Sequence, residues 1–389
     1  MISVKEAQCK IQENSRILNS VSKSVENALD QVLSEDVKSP IHMPPFSQSA
    51  MDGYAIGSQG NTFKLVGEIQ AGADSSGMTL KSNEAVRIFT GAMIPNGTFA
   101  VAKQEIVEKN KTEIRITEKQ KHLQNIRPLG EQIKKGDIAL PKGTVITPGT
   151  AGFLYTLGVN QVSVTKKPNI IILSTGNELV PPGQELSPGK IYESNTYTLK
   201  TALKKFRIQV TIKTVEDNYE ATKKSIQESL NECDILITTG GISVGDYDFV
   251  GKAMEEVGVE SIFYKIKQKP GKPIFFGKRN STVVFGLPGN PAAALSCFYL
   301  YVTPGIRKMC GISDVSLEKR TLKLTSDYTK SKNLTHFLKA KCYGDKVAIL
   351  GAQSSAMLSS FASANCLACL PEGQSEWKKG DAIEVYILP

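Results

Sequence analysis

The residues of this 389-residue chain that could do chemistry gather in three short loops marked by glycine and proline. The first is Ser174-Thr175-Gly176-Asn177-Glu178-Leu179. The second runs Thr238-Thr239-Gly240-Gly241-Ile242-Ser243-Val244-Gly245-Asp246-Tyr247-Asp248, and the third is Leu287-Pro288-Gly289-Asn290-Pro291. Glycines let backbone amides approach a ligand closely, and a helix N-terminus behind such a loop offers free N–H groups and a dipole that favours an anion. In the second loop Gly240, Gly241 and Gly245 flank Ser243. That loop is neither a Walker A motif nor a dinucleotide fingerprint, which argues against ATPase and NAD chemistry. The third loop taken alone is also a shaped turn, since proline pre-sets a helix start. Three such loops together describe a walled cleft for a phosphate or nucleotide.

Carboxylates accompany the loops. Glu178, Asp217 and Asp248 fall near the C-terminal ends of expected strands, where their oxygens suit Mg²⁺ held between protein and phosphate. Asp217 and Asp248 also stand where helix caps are wanted, so each has a bland alternative. The turn Lys265-Ile266-Lys267-Gln268-Lys269-Pro270-Gly271-Lys272-Pro273 carries the opposite charge. Lysine-rich turns commonly face solvent, yet in a phosphate-transfer cleft they offset negative charge. Cys366-Leu367-Ala368-Cys369 has CxxC spacing but lies in an apolar, strand-like run without a second pair, so it reads as structural. His42, His122 and His336 are isolated.

The elements that must position these loops follow from periodicity. Ile170-Ile171-Ile172-Leu173 reads as a buried strand, followed by a helix from the cap pair Ser194-Asn195 to Phe206. A strand over 208–215 comes next, with Asp217 as N-cap for a helix over 219–230. A strand over 234–238 then feeds a helix over 249–257. The alternation of strand and helix predicts a parallel, doubly wound sheet with ligands at the C-terminal strand edge. On its N-terminal side, spaced apolar residues up to about residue 38 (Val4, Ala7 and Ile11, then Val25, Ala28, Leu29, Val32 and Leu33) predict helices. Pro40-Ile41-His42-Met43-Pro44-Pro45 excludes one. Residues 51–127 read as a small all-β module, with the alternation of Glu113-Ile114-Arg115-Ile116 as its clearest strand. A helical stretch over 150–157 follows. After Gly311 the pattern returns to β and suggests a small terminal barrel.

Composition bounds the rest. The length predicts two to four domains. Seven scattered cysteines fit a reducing compartment better than a disulfide framework. No run of 18 apolar residues and no N-terminal apolar h-region are present, so a cytoplasmic protein without a membrane partner is expected. The formal charge is +9, without a basic stripe interleaved with aromatics and without a helix-turn-helix or RNP pattern. Solvated lysine faces and an anionic small-molecule substrate account for it better than nucleic acid does.

Five blocks in order then carry a resemblance: Pro45-Phe46-Ser47-Gln48-Ser49-Ala50-Met51-Asp52-Gly53-Tyr54-Ala55, Arg87-Ile88-Phe89-Thr90-Gly91-Ala92, Ser174 to Leu179, Gly240 to Asp248, and Lys269 to Pro273 with Leu287 to Pro291. Almost end to end, the chain resembles the molybdopterin molybdenumtransferases, the family of bacterial MoeA and the C-terminal domain of gephyrin. The resemblance implies a multi-domain α/β plus β fold and an elongated homodimer. Domain I is discontinuous (1–53 and 131–166), domain II is a β insertion (54–130), domain III is the doubly wound molybdopterin-binding α/β domain (167–316), and domain IV is a β-barrel (317–389). It implies insertion of molybdate into adenylylated molybdopterin with Mg²⁺-dependent release of AMP.

The catalytic residues carried over are Asp52, Thr90, Glu178, Asp217, Asp248, Lys265 and Lys269, with Glu178, Asp217 and Asp248 as metal ligands. Substrate contacts fall to Gly240, Gly241, Ser243, Gly245, Pro288, Gly289, Asn290, Pro291 and Ser355. The cleft is expected to take domain III from one subunit and domain II from the other. Further partners implied are the molybdopterin adenylyltransferase and molybdoenzyme apoproteins. The chain departs from the family pattern at Gly130-Glu131-Gln132, where Gln132 replaces a carboxylate. An arginine is missing near Asn333-Leu334-Thr335-His336-Phe337, and Cys366 replaces a glycine. Two competing readings are the adenylyltransferase of the preceding step, which shares the domain III fold, and a gephyrin-like scaffold. Tungstate and molybdate are not distinguished by any residue.

Overall fold

The computed structural model describes residues 1–216, 218–241 and 249–389, with the side chain of Phe249 left aside. The described chain divides into two compact units. One comprises Met1–Val21, Asp30–Ser34 and Val164–Pro389, and the other Ser22–Leu29 and Glu35–Ser163.

In the second unit the β module is a six-stranded sheet. Its order is Ala100–Lys103, Gly53–Ile56, Glu84–Ile88, Thr62–Ile69, Glu113–Ile116 and Val107–Lys109. Side chains alternate across it as a two-residue period demands. Tyr54, Ile56, Ala85, Ala100, Ala102, Ile114 and Ile116 fill one core. Ala55, Val86, Ile88 and Val101 fill the other with Leu80 and Ala92. Gly53 is obligatory here, because a Cβ on it would lie 2.0 Å from the carbonyl oxygen of Ala102. The expected helical stretch forms as Pro148–Thr156, capped by a reciprocal Thr147–Thr150 box.

The first unit is built on a six-stranded sheet ordered Val210–Val215, Ile170–Thr175, Ile235–Thr239, Thr282–Leu287, Phe275–Arg279 and Glu260–Tyr264. The first four strands are parallel. The three central ones, Ile170–Thr175, Ile235–Thr239 and Thr282–Leu287, are buried throughout, as strands covered on both faces must be. One face packs Ile170, Ile172, Ile235, Ile237 and Phe285 against helices Val4–Asn14, Asn195–Lys204 and Pro291–Cys297. The other packs Ile171, Leu173, Leu236 and Val284 against helices Tyr219–Glu232 and Phe249–Glu256. Each aliphatic side chain fully buried this way contributes ~1.5–3 kcal/mol. The doubly wound expectation holds, with one correction: the fifth strand, Phe275–Arg279, runs antiparallel to both of its neighbours. Phe275–Arg279 and Thr282–Leu287 are joined by Asn280-Ser281 alone, with Asn280 at φ +54°. A two-residue turn of that kind makes a hairpin and cannot make a crossover.

The terminal segment closes as a five-stranded barrel, each strand pairing with the next around the ring. The ring runs Lys319–Leu324, Ala382–Ile387, Cys366–Leu370, Thr335–Tyr343, Lys346–Ile349 and back to Lys319–Leu324. Leu322, Leu338, Val347, Cys366, Ala368 and Val385 fill its interior. Phe337, Leu367 and Tyr386 point outward into the main core of the α/β domain. Cys366 and Cys369 lie three residues apart on one strand and so face opposite sides. Cys366 belongs to the barrel interior and Cys369 to the α/β core, and burial pushes both thiols up to about 12. The CxxC spacing is structural.

Three local expectations are corrected. The apolar residues between Val25 and Leu33 form one 3₁₀ turn, Val25–Ala28, because Asp30 takes φ +62° and Leu33 is drawn into a bridge with Val164. The cap of helix Tyr219–Glu232 is Asn218, whose side chain accepts from the Ala221 N–H at 2.8 Å; the expected cap, Asp217, lies outside the described residues. Ser194 precedes helix Asn195–Lys204 without a side-chain cap bond, and the buried Glu193 accepts from the Thr196 N–H at 3.0 Å instead.

Candidate functional site

The four parallel strands end on one edge, at Thr175, Val215, Thr239 and Leu287. Two antiparallel steps restore direction, so Tyr264 ends on that edge too and Lys265 follows it. Three loops converge there. The Gly240 N–H donates to the Leu287 carbonyl at 3.4 Å, and a Cβ on Gly289 would lie 3.7 Å from the Cα of Gly240. A Cβ on Gly241 would lie 3.4 Å from Thr175 Oγ1, which brings the first loop beside the second. The Glu178 carboxylate folds back over Gly176, 2.8 Å from where a Cβ would stand. The Asn195 side-chain amide donates to the Gly289 carbonyl at 2.8 Å. The barrel adds Ser355: its hydroxyl oxygen accepts from Asn290 Nδ2 at 3.0 Å, and its carbonyl accepts from the Ala293 N–H at 3.1 Å. Pro291 opens the helix, so Ala293 is its third residue and its N–H would otherwise lack an intrahelical partner.

The lysine turn is anchored from below. Gln268 is fully buried: its amide donates to the Pro270 carbonyl at 2.9 Å, and its oxygen accepts from the hydroxyl of buried Tyr301. Gly271 sits at φ +81° where a Cβ would come within 2.2 Å of Cys297 Sγ, so both backbone and space demand glycine. Lys269 pairs in register with His336 on the barrel strand Thr335–Tyr343. Lys265 takes φ +70°, with its ammonium 4.9 Å from the centre of the Tyr264 ring.

In the second unit, Asp52 and Thr90 meet although 38 residues separate them. One carboxylate oxygen of Asp52 accepts from the Thr90 N–H at 2.8 Å and from its hydroxyl at 2.7 Å. Those two bonds, the backbone one first, hold Asp52 below the usual carboxylate range, and the charge of Arg87 adds to them. Arg87 is fixed by donating to the Gly53 carbonyl at 2.9 Å and to Gln104 at 2.8 Å.

Comparison with known proteins gives these loops their context. The chain is 34% identical to a molybdopterin molybdenumtransferase of Staphylococcus epidermidis, covering 99% of this chain and 95% of that protein. A Staphylococcus aureus protein of the same name matches with the same identity and coverage. The chain belongs to the molybdopterin molybdenumtransferase family. Residues 2–158 match the MoeA N-terminal region (domain I and II), residues 171–308 a probable molybdopterin binding domain, and residues 321–388 the MoeA C-terminal region (domain IV). A crystal structure of a molybdopterin biosynthesis MoeA protein from Pyrococcus horikoshii is similar throughout. Its TM-score is 0.86 at 29% identity, covering 100% of this chain and 99% of that one.

For this member of the molybdenumtransferase family, the structure brings Gly240, Gly241, Pro288, Gly289, Asn290, Pro291 and Ser355 to one strand edge, with Glu178 and Lys265 on the same edge. Asp52 and Thr90 are joined to each other in the other compact unit. Asp217, Ser243, Gly245 and Asp248 lie outside the described residues. Among the described residues no group of three or more His, Cys, Asp or Glu side chains is placed to hold a metal ion. Two residues next to the loops escaped sequence reasoning. Asn195 read only as a helix cap, and its reach to Gly289 is visible only once the strand order is known. Lys190, whose ammonium donates to the Asn177 carbonyl, carried no signal beyond its charge.

Proposed function

We propose that this chain inserts molybdate into adenylylated molybdopterin, releasing AMP in a Mg²⁺-dependent reaction. The observation that supports this most is the match to all three family regions combined with the convergence of Gly240, Gly289, Asn290 and Ser355 on the strand edge of the molybdopterin-binding region. The flanking matches over 2–158 and 321–388 weigh against a lone α/β adenylyltransferase. In the reaction, backbone amides of the Gly240–Gly245 loop and the ammoniums of Lys265 and Lys269 offset the charge that grows on AMP as the phosphoanhydride breaks. Pro288 to Pro291 and Ser355 hold the substrate, and Asp52, oriented by the N–H and hydroxyl of Thr90, supplies a carboxylate. Glu178, Asp217 and Asp248 offer the hard oxygen donors that Mg²⁺ prefers. When bound, the ion supplies Lewis-acid neutralisation at the phosphates. Molybdate, an oxyanion, is captured by the dithiol of the substrate: two Mo–S bonds replace oxo ligands, which take up the thiol protons and leave as water, while water adds to the phosphorus from which AMP departs.

The same proposal includes the four-domain partition of the sequence reading, a homodimer, a cytoplasmic setting, and exchange with the adenylyltransferase and molybdoenzyme apoproteins. No helix of the described residues is long and apolar enough to cross a membrane. The deciding experiment is reconstitution with adenylylated molybdopterin and low molybdate or tungstate, reading AMP release and activation of an apo-molybdoenzyme. Consumption of ATP with molybdopterin, and none of the adenylylated compound, would replace this reading with the adenylyltransferase one. The dimer is tested by co-refolding Asp52→Asn with Asp248→Asn chains. Activity returns if the two residues act from different subunits, and stays absent in verified heterodimers if they do not.

A further inference from the structure

Lys339 is 2% exposed, on the barrel strand Thr335–Tyr343. Burying an ammonium costs several kcal/mol unless it is paired and hydrogen-bonded. Among the described residues no carboxylate forms an ion pair with it. Its three N–H donors go instead to three carbonyls of one loop: Ala352 at 2.8 Å, Ser354 at 3.2 Å and Met357 at 2.9 Å. An ammonium has three donors and no more, so its capacity is filled. Gln353 locks the same loop to the backbone of the same residue. Its side-chain oxygen accepts from the Lys339 N–H at 3.1 Å, and its amide donates to the Lys339 carbonyl at 2.8 Å. The loop is therefore curled about one cation, with Ala352 at φ +51°. Ser355 lies in the same loop, between Ser354 and Met357, and its hydroxyl and carbonyl meet Asn290 and the Ala293 N–H. A methionine or leucine would fill a barrel wall at lower cost. What the lysine adds is a fixed path for the segment that carries Ser355.

We infer that Lys339 is a positioning residue: by gathering the carbonyls of Ala352, Ser354 and Met357, it holds Ser355 against the Pro288–Pro291 loop and thereby sets affinity for the anionic substrate. Its effect on turnover rests on the molybdenumtransferase reading, whereas its effect on the loop does not. Two measurements on the full chain separate these. In hydrogen exchange, Lys339→Met raises the exchange rate of the Ala293 amide about tenfold, the scale of losing a hydrogen bond organised by a charge. Amides inside the barrel, such as Leu338 and Ala368, stay within about twofold. In turnover with adenylylated molybdopterin and molybdate, Lys339→Met raises KM about tenfold with kcat within about twofold, and Lys339→Met combined with Ser355→Ala raises it by less than the product of the two single effects, because the alanine removes the hydroxyl contact and keeps the carbonyl one. Lys339→Gln, which keeps two donors and carries no charge to bury, guards against a variant that fails to fold and gives intermediate values of both. An unchanged Ala293 rate, an equal rise across the barrel amides, or additive KM effects overturns the inference. If the wild-type chain turns over no adenylylated molybdopterin, the functional reading fails while the amide measurement still decides whether Lys339 positions the loop.

Discussion

His336 makes the stability of this protein sensitive to mild acid. The residue is 8% exposed on the barrel strand, opposite Lys269 on one side and Leu370 on the other. Among the described residues its Nε2 has no hydrogen-bond partner. Burial, and then the ammoniums of Lys330 and Lys269, lower its pKa from 6.5 to about 4. The folded value lies below the unfolded one, so the unfolded chain takes up a proton that the native chain refuses. Stability is complete above about pH 6.5 and falls as pH drops from there towards about 4, below which the loss is constant. The shift corresponds to roughly 3 kcal/mol over the whole window, and to roughly 1 kcal/mol between pH 6.5 and 5.5. Against a total of ~5–15 kcal/mol this is large. Urea denaturation of wild type and His336→Gln between pH 7.5 and 4.5 isolates the term, because the difference of the two curves cancels His42 and His122. The wild type loses the extra stability and the variant does not. An NMR titration that places the His336 midpoint near 6.5, or identical pH slopes for the two proteins, would refute the reasoning.

Gly271→Ala adds an overpacking cost of ~1–3 kcal/mol against Cys297 to a left-handed backbone cost of ~1–2 kcal/mol. Cys297→Ala in the same chain recovers the steric share only, and purely additive denaturation midpoints would deny the contact. Thr90→Ala removes one of the two donors on Asp52 and leaves the backbone N–H, so the Asp52 pKa rises part of the way to its ordinary value. Carboxylate NMR reads the change, and no movement would show that the hydroxyl is idle. Asn195→Ala releases the Gly289 carbonyl, and KM for adenylylated molybdopterin rises about fivefold, the scale of one net hydrogen bond. An unchanged KM would confine Asn195 to local structure.

The sequence by itself determined the family, the element types and most of the loops. Unbroken apolar runs at Ile170–Leu173 and Val283–Phe285 demand strands buried on both faces, and Glu113–Ile116 alternates as one face of a sheet must. These are local properties, carried by neighbouring residues and by the two periods of the backbone. The hairpin at Asn280-Ser281 was also locally encoded, but the surrounding strand–helix rhythm outweighed a two-residue turn signal. Capping failed for a different reason: the helices start where expected, but residue type does not say which neighbouring side chain reaches the first-turn N–H, and Asn218 takes that of Ala221 while Glu193 takes that of Thr196. What only the tertiary structure decided is which distant residues touch. Asp52 reaches Thr90 across 38 positions, Ser355 reaches Asn290 across 65, and Asn195 reaches Gly289 across 94. Such contacts depend on strand order and on the docking of the barrel, which are properties of the whole fold. The lysine at position 339 shows the limit most plainly: in the sequence it is one more positive charge, and burial beside three carbonyls of a single loop gives it a distinct place.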